Sequence, residues 1–141
     1  MSRTVQIYDS TLRDGAQGEG ISFSVEDKKK IVETLDGLGV AYIEAGNPGS
    51  NPKDMEFFSG LNGMKMKCAK LTAFGSTRRR GVSAGDDPGV RSLLAAGTPA
   101  VAVFGKSSDV QVREILKVSP DENLAMIRDT IAFLKKNGRE G

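Results

Sequence analysis

Residues 41–61, AYIEAGNPGSNPKDMEFFSGL, carry the pattern that decides the fold. A short apolar run from Ala41 to Gly46 passes into a loop rich in Gly, Pro and Asn. Asn51-Pro52 then reads as an N-cap followed by proline at the first helical position, where its missing N–H costs nothing. Met55, Phe57, Phe58 and Leu61 follow as the apolar positions of that helix. The stretch is one strand, one polar loop and one helix.

The same unit recurs on both sides. Upstream, Val5 to Tyr8 reads as a strand running into Asp9-Ser10-Thr11. Ser24, with Asp27 three residues on, forms an approximate capping box. Ile31, Leu35 and Leu38 give the helix that follows an apolar stripe, and Gly39 stops it. Downstream, Cys68 to Gly75 is a third strand, and Asp87-Pro88 opens a helix with Val90, Leu93 and Leu94 turned inward. Ala100 to Phe104 is a fourth strand, apolar on both faces, as in a parallel sheet covered on both sides. Ser119-Pro120-Asp121-Glu122 combines an N-cap, a proline at N1 and a Glu at N3. Leu124, Ile127, Ile131 and Leu134 continue that helix, and Gly138 closes it.

Four strands alternating with helices predict an α/β fold with a parallel sheet, in one domain over residues 1–141. Two architectures satisfy the pattern. One is an open doubly wound sheet; the other is half of a (β/α)8 barrel, which takes about 250 residues. In either, the polar segments after the strands are where a site belongs.

Composition narrows the function classes. A net charge of +2 on 141 residues gives no general attraction to nucleic acid. The dense basic run Arg78-Arg79-Arg80 reads as a solvated loop or as an anion contact. No apolar stretch reaches membrane-span length, and the N-terminus lacks a signal-peptide core, so a cytoplasmic protein is expected. The single cysteine, Cys68, is expected to be a small buried residue rather than a nucleophile. The chain contains no histidine, which excludes an internal Ser-His-Asp or Cys-His triad.

Chemistry concentrates where the first two strands end. In Asp9-Ser10-Thr11-Leu12-Arg13-Asp14-Gly15-Ala16-Gln17 a strand runs into two acids, an arginine and an amide. Asp14 is a hard oxygen donor suited to Mg²⁺, Mn²⁺ or Zn²⁺. Arg13 can stabilise an oxyanion developing on a carbonyl. Gly15 lets the backbone approach a ligand. A salt-bridged loop explains the same residues without any ligand. Glu44 ends the second strand, so it lies beside Arg13 and Asp14. A buried carboxylate needs a partner, and Arg13 is the obvious one.

Residues 9–17 closely resemble the D-[ST]-T-L-R-D-G-x-Q signature of the DRE-TIM metallolyase group, which includes 2-isopropylmalate, homocitrate and citramalate synthases and hydroxymethylglutaryl-CoA lyases. Glu44 matches the group's strand-two Glu. Gly18 to Lys28, and Phe104-Gly105-Lys106-Ser107 leading into Glu122 to Ile127, look most like the citramalate synthase branch. The resemblance spans essentially the whole chain. It implies the first four (βα) units of a TIM barrel, placed at the N-terminal half. It also implies an acyltransferase of branched-chain amino-acid biosynthesis: the enolate of acetyl-CoA attacks the ketone of a 2-oxo acid held by a divalent metal. The 2-oxo acid would be pyruvate, giving citramalate, or 2-oxoisovalerate, giving 2-isopropylmalate. By the same resemblance Asp14 is a metal ligand, Arg13 stabilises charge on the ketone oxygen, Gln17 contacts substrate or metal-bound water, and Glu44 orients Arg13.

The sequence departs from the group in defined places. The group's His-x-His metal ligands have no counterpart here. Ser108 and Gln111 stand where the citramalate branch carries Trp and His. Glu44-Ala45-Gly46-Asn47-Pro48 stands where that branch reads E-G-G-W-P. The chain by itself is therefore expected to be inactive. Its first and fourth strands are expected to be open edges that favour a homodimer or edge-to-edge association. Two other readings share these residues: a metal-dependent C–C lyase or aldolase, and a non-catalytic truncated paralogue or split subunit that binds a full-length partner.

Overall fold

Four parallel strands are formed by β1 (Tyr8–Asp9), β2 (Tyr42–Gly46), β3 (Lys70–Ser76) and β4 (Ala100–Phe104). The computed structural model describes residues 4–61 and 64–141. The spatial order is β1-β2-β3-β4, the same as the order in sequence. A doubly wound sheet reverses its strand order part-way along, whereas a barrel adds each new strand on the same side. The order therefore selects the barrel architecture of the two that the sequence allows.

Four helices return the chain between strands: α1 (Val25–Gly37), α2 (Pro52–Ser59), α3 (Pro88–Ala95) and α4 (Pro120–Lys136). Their caps follow the sequence. Ser24 and Asp27 form the full reciprocal capping box, and Asn51, Asp87 and Ser119 each accept a backbone N–H of the first turn. Alternation along the strands then sets the layers. Ile43, Ala45, Leu71, Ala73 and Val101 point one way and pack with Val32, Phe57, Phe58, Val90, Leu93 and Leu134 in one core. The opposite face is partly open: Tyr8 is 46% and Phe104 47% exposed. The sheet is thus covered by helices on one face only, which corrects the expectation that β4 is enclosed on both.

Other local expectations shift by a residue or two. Pairing of the first strand is confined to Tyr8 and Asp9, and Val5 and Ile7 are exposed. As an edge strand it has only β2 to bond, and contact begins where the Ile7 carbonyl accepts from the amides of Ala41 and Tyr42. The buried line of α1 is Lys28, Val32 and Asp36, while Leu38 is exposed. In α4 it is Asn123, Met126, Thr130 and Leu134, while Leu124 is exposed. In both helices the buried line includes polar residues with specific partners, which an apolar stripe does not reveal. A π-helical segment at Gln111–Leu116 had no sequence signal. The outer edge of β4 is not fully open either. Glu140 pairs beside it, donating to the Pro99 carbonyl at 3.0 Å and accepting from the Val101 amide at 2.8 Å.

One of those buried polar groups fastens α1 to β3. The Asp36 carboxylate accepts from the amides of Lys67, Cys68 and Ala69 at 2.7, 2.8 and 2.7 Å. The backbone wraps around the carboxylate, so the Cys68 side chain faces solvent instead of the core. Burial pushes the Asp36 carboxyl up, but the three amides outweigh it and hold the group below its ordinary value. A lowered native pKa means that the unfolded state binds more protons. This stability is therefore complete above about pH 4 and is lost as pH falls through the lower native value. Asp36→Asn is expected to lower the unfolding free energy by about 2 kcal/mol at neutral pH. It should also flatten the acid limb of stability against pH in urea unfolding; an unchanged acid limb would contradict the assignment.

Candidate functional site

The turn after β1 is built by a single carbonyl. Ser10 O accepts from the amides of Arg13, Asp14 and Gly15 at 3.2, 2.8 and 3.2 Å. The Asp9 carboxylate accepts from the Thr11 amide and hydroxyl at 3.0 and 3.1 Å. Leu12 is 1% exposed and pins the turn into the core. Arg13 and Asp14 are thereby presented at the C-terminal end of the sheet, and the 3₁₀ turn Gly15–Gln17 follows them.

Arg13 is held on three sides. Its Nε donates to Glu44 Oε1, one Nη donates to Asp14 Oδ1 at 2.9 Å, and the guanidinium lies 4.1 Å from the centre of the Phe74 ring. Glu44 is 3% exposed, and its second oxygen accepts from the Tyr8 hydroxyl. Each oxygen of the buried carboxylate thus has its own donor, which is the condition for burying such a charge. Burial, together with the bond to Glu44, pushes the Tyr8 phenol well above its ordinary value, so it stays a protonated donor. Tyr8 and Glu44 share a face because Tyr8 pairs with Tyr42, two residues before Glu44.

A second buried network fixes the other wall. Lys28 donates to Asp54 Oδ1 and, at 3.0 Å, to the Ala45 carbonyl. Asp54 Oδ2 accepts from the Asn47 amide at 2.8 Å. The same carboxylate explains why residue 46 is glycine. Gly46 has φ +153°, and a Cβ there would meet the Asp54 carboxyl carbon at 2.5 Å. Between the two networks lies a cavity of about 270 Å³ lined by Arg13, Gln17, Lys28, Asn47, Asp54 and Phe74, among others.

The residues marked in the sequence therefore meet. Arg13, Asp14 and Glu44 are bonded in series, and Gln17 lines the same cavity. Tyr8, Phe74, Lys28 and Asp54 were not marked. Strand alternation places Tyr8 beside Glu44 and was available as a signal. The Lys28–Asp54 pair joins two different helices and left no local trace.

A model of the HMGL-like family matches residues 4–140. The chain belongs to the HMGL-like family. Among its curated relatives, an (R)-citramalate synthase of Aquifex aeolicus is 54% identical over 96% of this chain. An (R)-citramalate synthase of Geobacter sulfurreducens is 48% identical over 94%. A 2-isopropylmalate synthase of Listeria innocua is 34% identical over 95%. The chain spans about a quarter of the length of these relatives: 26%, 25% and 25% in turn. The solved structure of a Bacillus subtilis HMG-CoA lyase superposes with a TM-score of 0.72 at 22% identity, over 98% of this chain and 45% of that one. That likeness establishes the fold: four βα units that form part of a TIM barrel.

The donor set of this HMGL-like chain does not make a divalent-metal site by itself. Among the described residues no three His, Cys, Asp or Glu side chains cluster as ligands. The Asp14 side chain is 63% exposed and already gives one oxygen to Arg13. What the chain does hold rigidly is the guanidinium. Glu44→Ala leaves both Arg13 and Tyr8 without their acceptor and is expected to lower the unfolding free energy by about 3 kcal/mol in urea. A loss under about 0.5 kcal/mol would mean that the pair behaves as a solvated surface contact.

Proposed function

We propose that the chain is the N-terminal part, the first four βα units, of a metal-dependent enzyme that condenses acetyl-CoA with a small 2-oxo acid. Pyruvate is the favoured acid and 2-oxoisovalerate the runner-up. The observation that carries the reading is the state of Arg13. Its Nε is occupied by Glu44 and one Nη by Asp14, while its other Nη has no hydrogen-bond partner among the described residues. Arg13 itself lines the cavity at the C-terminal end of the sheet. A guanidinium fixed from behind and free in front suits the carboxylate or developing oxyanion of a 2-oxo acid, because its donors need no reorganisation as charge appears.

The other residues take consistent roles. Glu44 orients Arg13, and the Tyr8 hydroxyl holds the second Glu44 oxygen in place. Phe74 supplies a flat surface beneath the guanidinium. Gln17 lines the same cavity and offers an amide to substrate. Asp14 supplies one carboxylate to a divalent ion whose other ligands come from polypeptide outside this chain. Lys28 and Asp54 neutralise each other and are not the acid or base of the reaction. The greater identity to citramalate synthases than to 2-isopropylmalate synthases favours pyruvate.

The test is thiol release from acetyl-CoA. The chain alone, with pyruvate and Mg²⁺ or Mn²⁺, is expected to release no CoA above background. A polypeptide that carries this segment together with the missing ligands is expected to release CoA only when a 2-oxo acid is present. In it, Arg13→Lys should lower kcat/KM by about 100-fold or more. CoA release that ignores the 2-oxo acid would rule out the condensing reading, and cleavage of a 2-hydroxy acid thioester without synthesis would make the enzyme a lyase.

A further inference from the structure

The loop after β2 leaves one donor free on a side chain whose other polar atoms are all taken. Asn47 follows β2 directly and lines the cavity at Arg13. Its backbone amide donates to Asp54 Oδ2 at 2.8 Å. Its carbonyl accepts from the amides of Ser50 and Asn51 at 3.3 and 3.1 Å. Its side-chain Oδ1 accepts from the Gly49 amide at 3.1 Å. The buried Pro48 that follows restricts the Asn47 backbone further. The Nδ2 amino group, by contrast, has no hydrogen-bond partner among the described residues.

The chemistry of that free end follows from its neighbour. The Gly49 N–H can be met only by an oxygen, so the end of the amide left over is the amino group, a donor and never an acceptor. A half-buried donor without a partner carries a cost that a ligand acceptor removes. The surroundings select an acceptor that carries negative charge. Arg13 and Gln17 line the same cavity. Among the described residues the one carboxylate lining it, Asp54, is already shared between Lys28 and the Asn47 amide. Where the citramalate branch carries Trp at this place, the chain keeps an N–H donor and sheds the bulk of the indole.

We infer that Asn47 is a substrate-binding residue, its Nδ2–H donating to an oxygen of the 2-oxo acid from the wall that faces Arg13. The inference rests on the condensing reading above and adds to it a contact supplied by the loop between β2 and α2. Lys28 and Asp54 are the positioning residues behind that contact, since Asp54 holds the Asn47 amide and Lys28 holds Asp54. A donor fixed in this way is aimed before the substrate arrives, so little freedom is lost on binding.

The test uses the polypeptide that carries this segment together with the missing ligands, in two variants. Asn47→Asp keeps an oxygen for the Gly49 amide and removes the donor, because an ionised carboxylate only accepts. Asn47→Ser keeps an acceptor for the same amide and adds no charge. Thiol release is followed with the better of pyruvate and 2-oxoisovalerate. At saturating acetyl-CoA, Asn47→Asp should raise the KM for that acid about tenfold or more, and Asn47→Ser should raise it less. The rise in KM should exceed any fall in kcat, as removal of a ground-state contact requires. The KM for acetyl-CoA and the Tm should stay at their wild-type values, which a purely structural role for Asn47 would not give. Isothermal titration with the same acid and Mg²⁺, without acetyl-CoA, should show the same weakening. An unchanged KM for the acid in both variants, with the wild type still releasing CoA only when the acid is present, would overturn the inference and leave the condensing reading standing. Equal rises in both KM values, or a lowered Tm in both variants, would also overturn it, because Asn47 would then serve the loop and not the ligand. A wild type that releases no CoA in response to a 2-oxo acid would overturn both.

Discussion

The Glu44 carboxylate is the constraint on which the C-terminal end of this sheet depends. It is buried, and burying a charge is tolerable only when both oxygens are engaged. Arg13 engages one and Tyr8 the other. Three consequences follow from that requirement. The turn after β1 must place Arg13 against β2, Tyr8 must stay on the Glu44 face of the sheet, and the guanidinium must lie over Phe74. Removing either donor, Arg13 or Tyr8, leaves the carboxylate under-satisfied.

The Lys28–Asp54 pair does the same work for the loop after β2. Lys28 reaches the Ala45 carbonyl, and Asp54 holds the Asn47 amide. The backbone between them passes so close to Asp54 that only glycine fits at position 46. The β2–β3 register shifts between Glu44 and Gly46, at the point where the carboxylate intrudes. The wall facing Arg13 is therefore set by an ion pair and a glycine and not by loop composition alone. Two charged networks, one on each side, give the cavity its shape.

Much of this was legible in the residues. The βα period, the helix caps at Ser24, Asn51, Asp87 and Ser119, and the meeting of Arg13, Asp14 and Glu44 all follow from local pattern and strand ends. Strand order was not legible, because alternation says nothing about which strand lies beside which. The stripes of α1 and α4 held at Ile31, Leu35 and Leu134, which pack on the core, and failed at the exposed Leu38 and Leu124; they also missed Lys28, Asp36, Asn123 and Thr130, which are buried polar residues. Cys68 misled in the same way: its neighbourhood looks apolar, yet the backbone turns inward to Asp36 and carries the thiol out. Arg78, Arg79 and Arg80 look alike in sequence, and only the positions of Asp129, Glu122 and Asp87 separate the structural arginine from the free ones.

The most direct test of Glu44 as the organising group is the Arg13 Nε–H resonance in nitrogen-resolved NMR of the chain. A buried carboxylate acceptor should make that proton exchange with water far more slowly than the Nε–H of exposed Arg91, and Glu44→Gln should abolish most of the protection while the backbone spectrum stays folded. An Arg13 Nε–H that exchanges as fast as that of Arg91 in the wild-type chain would mean that the guanidinium is not held, and the site built on it would not stand.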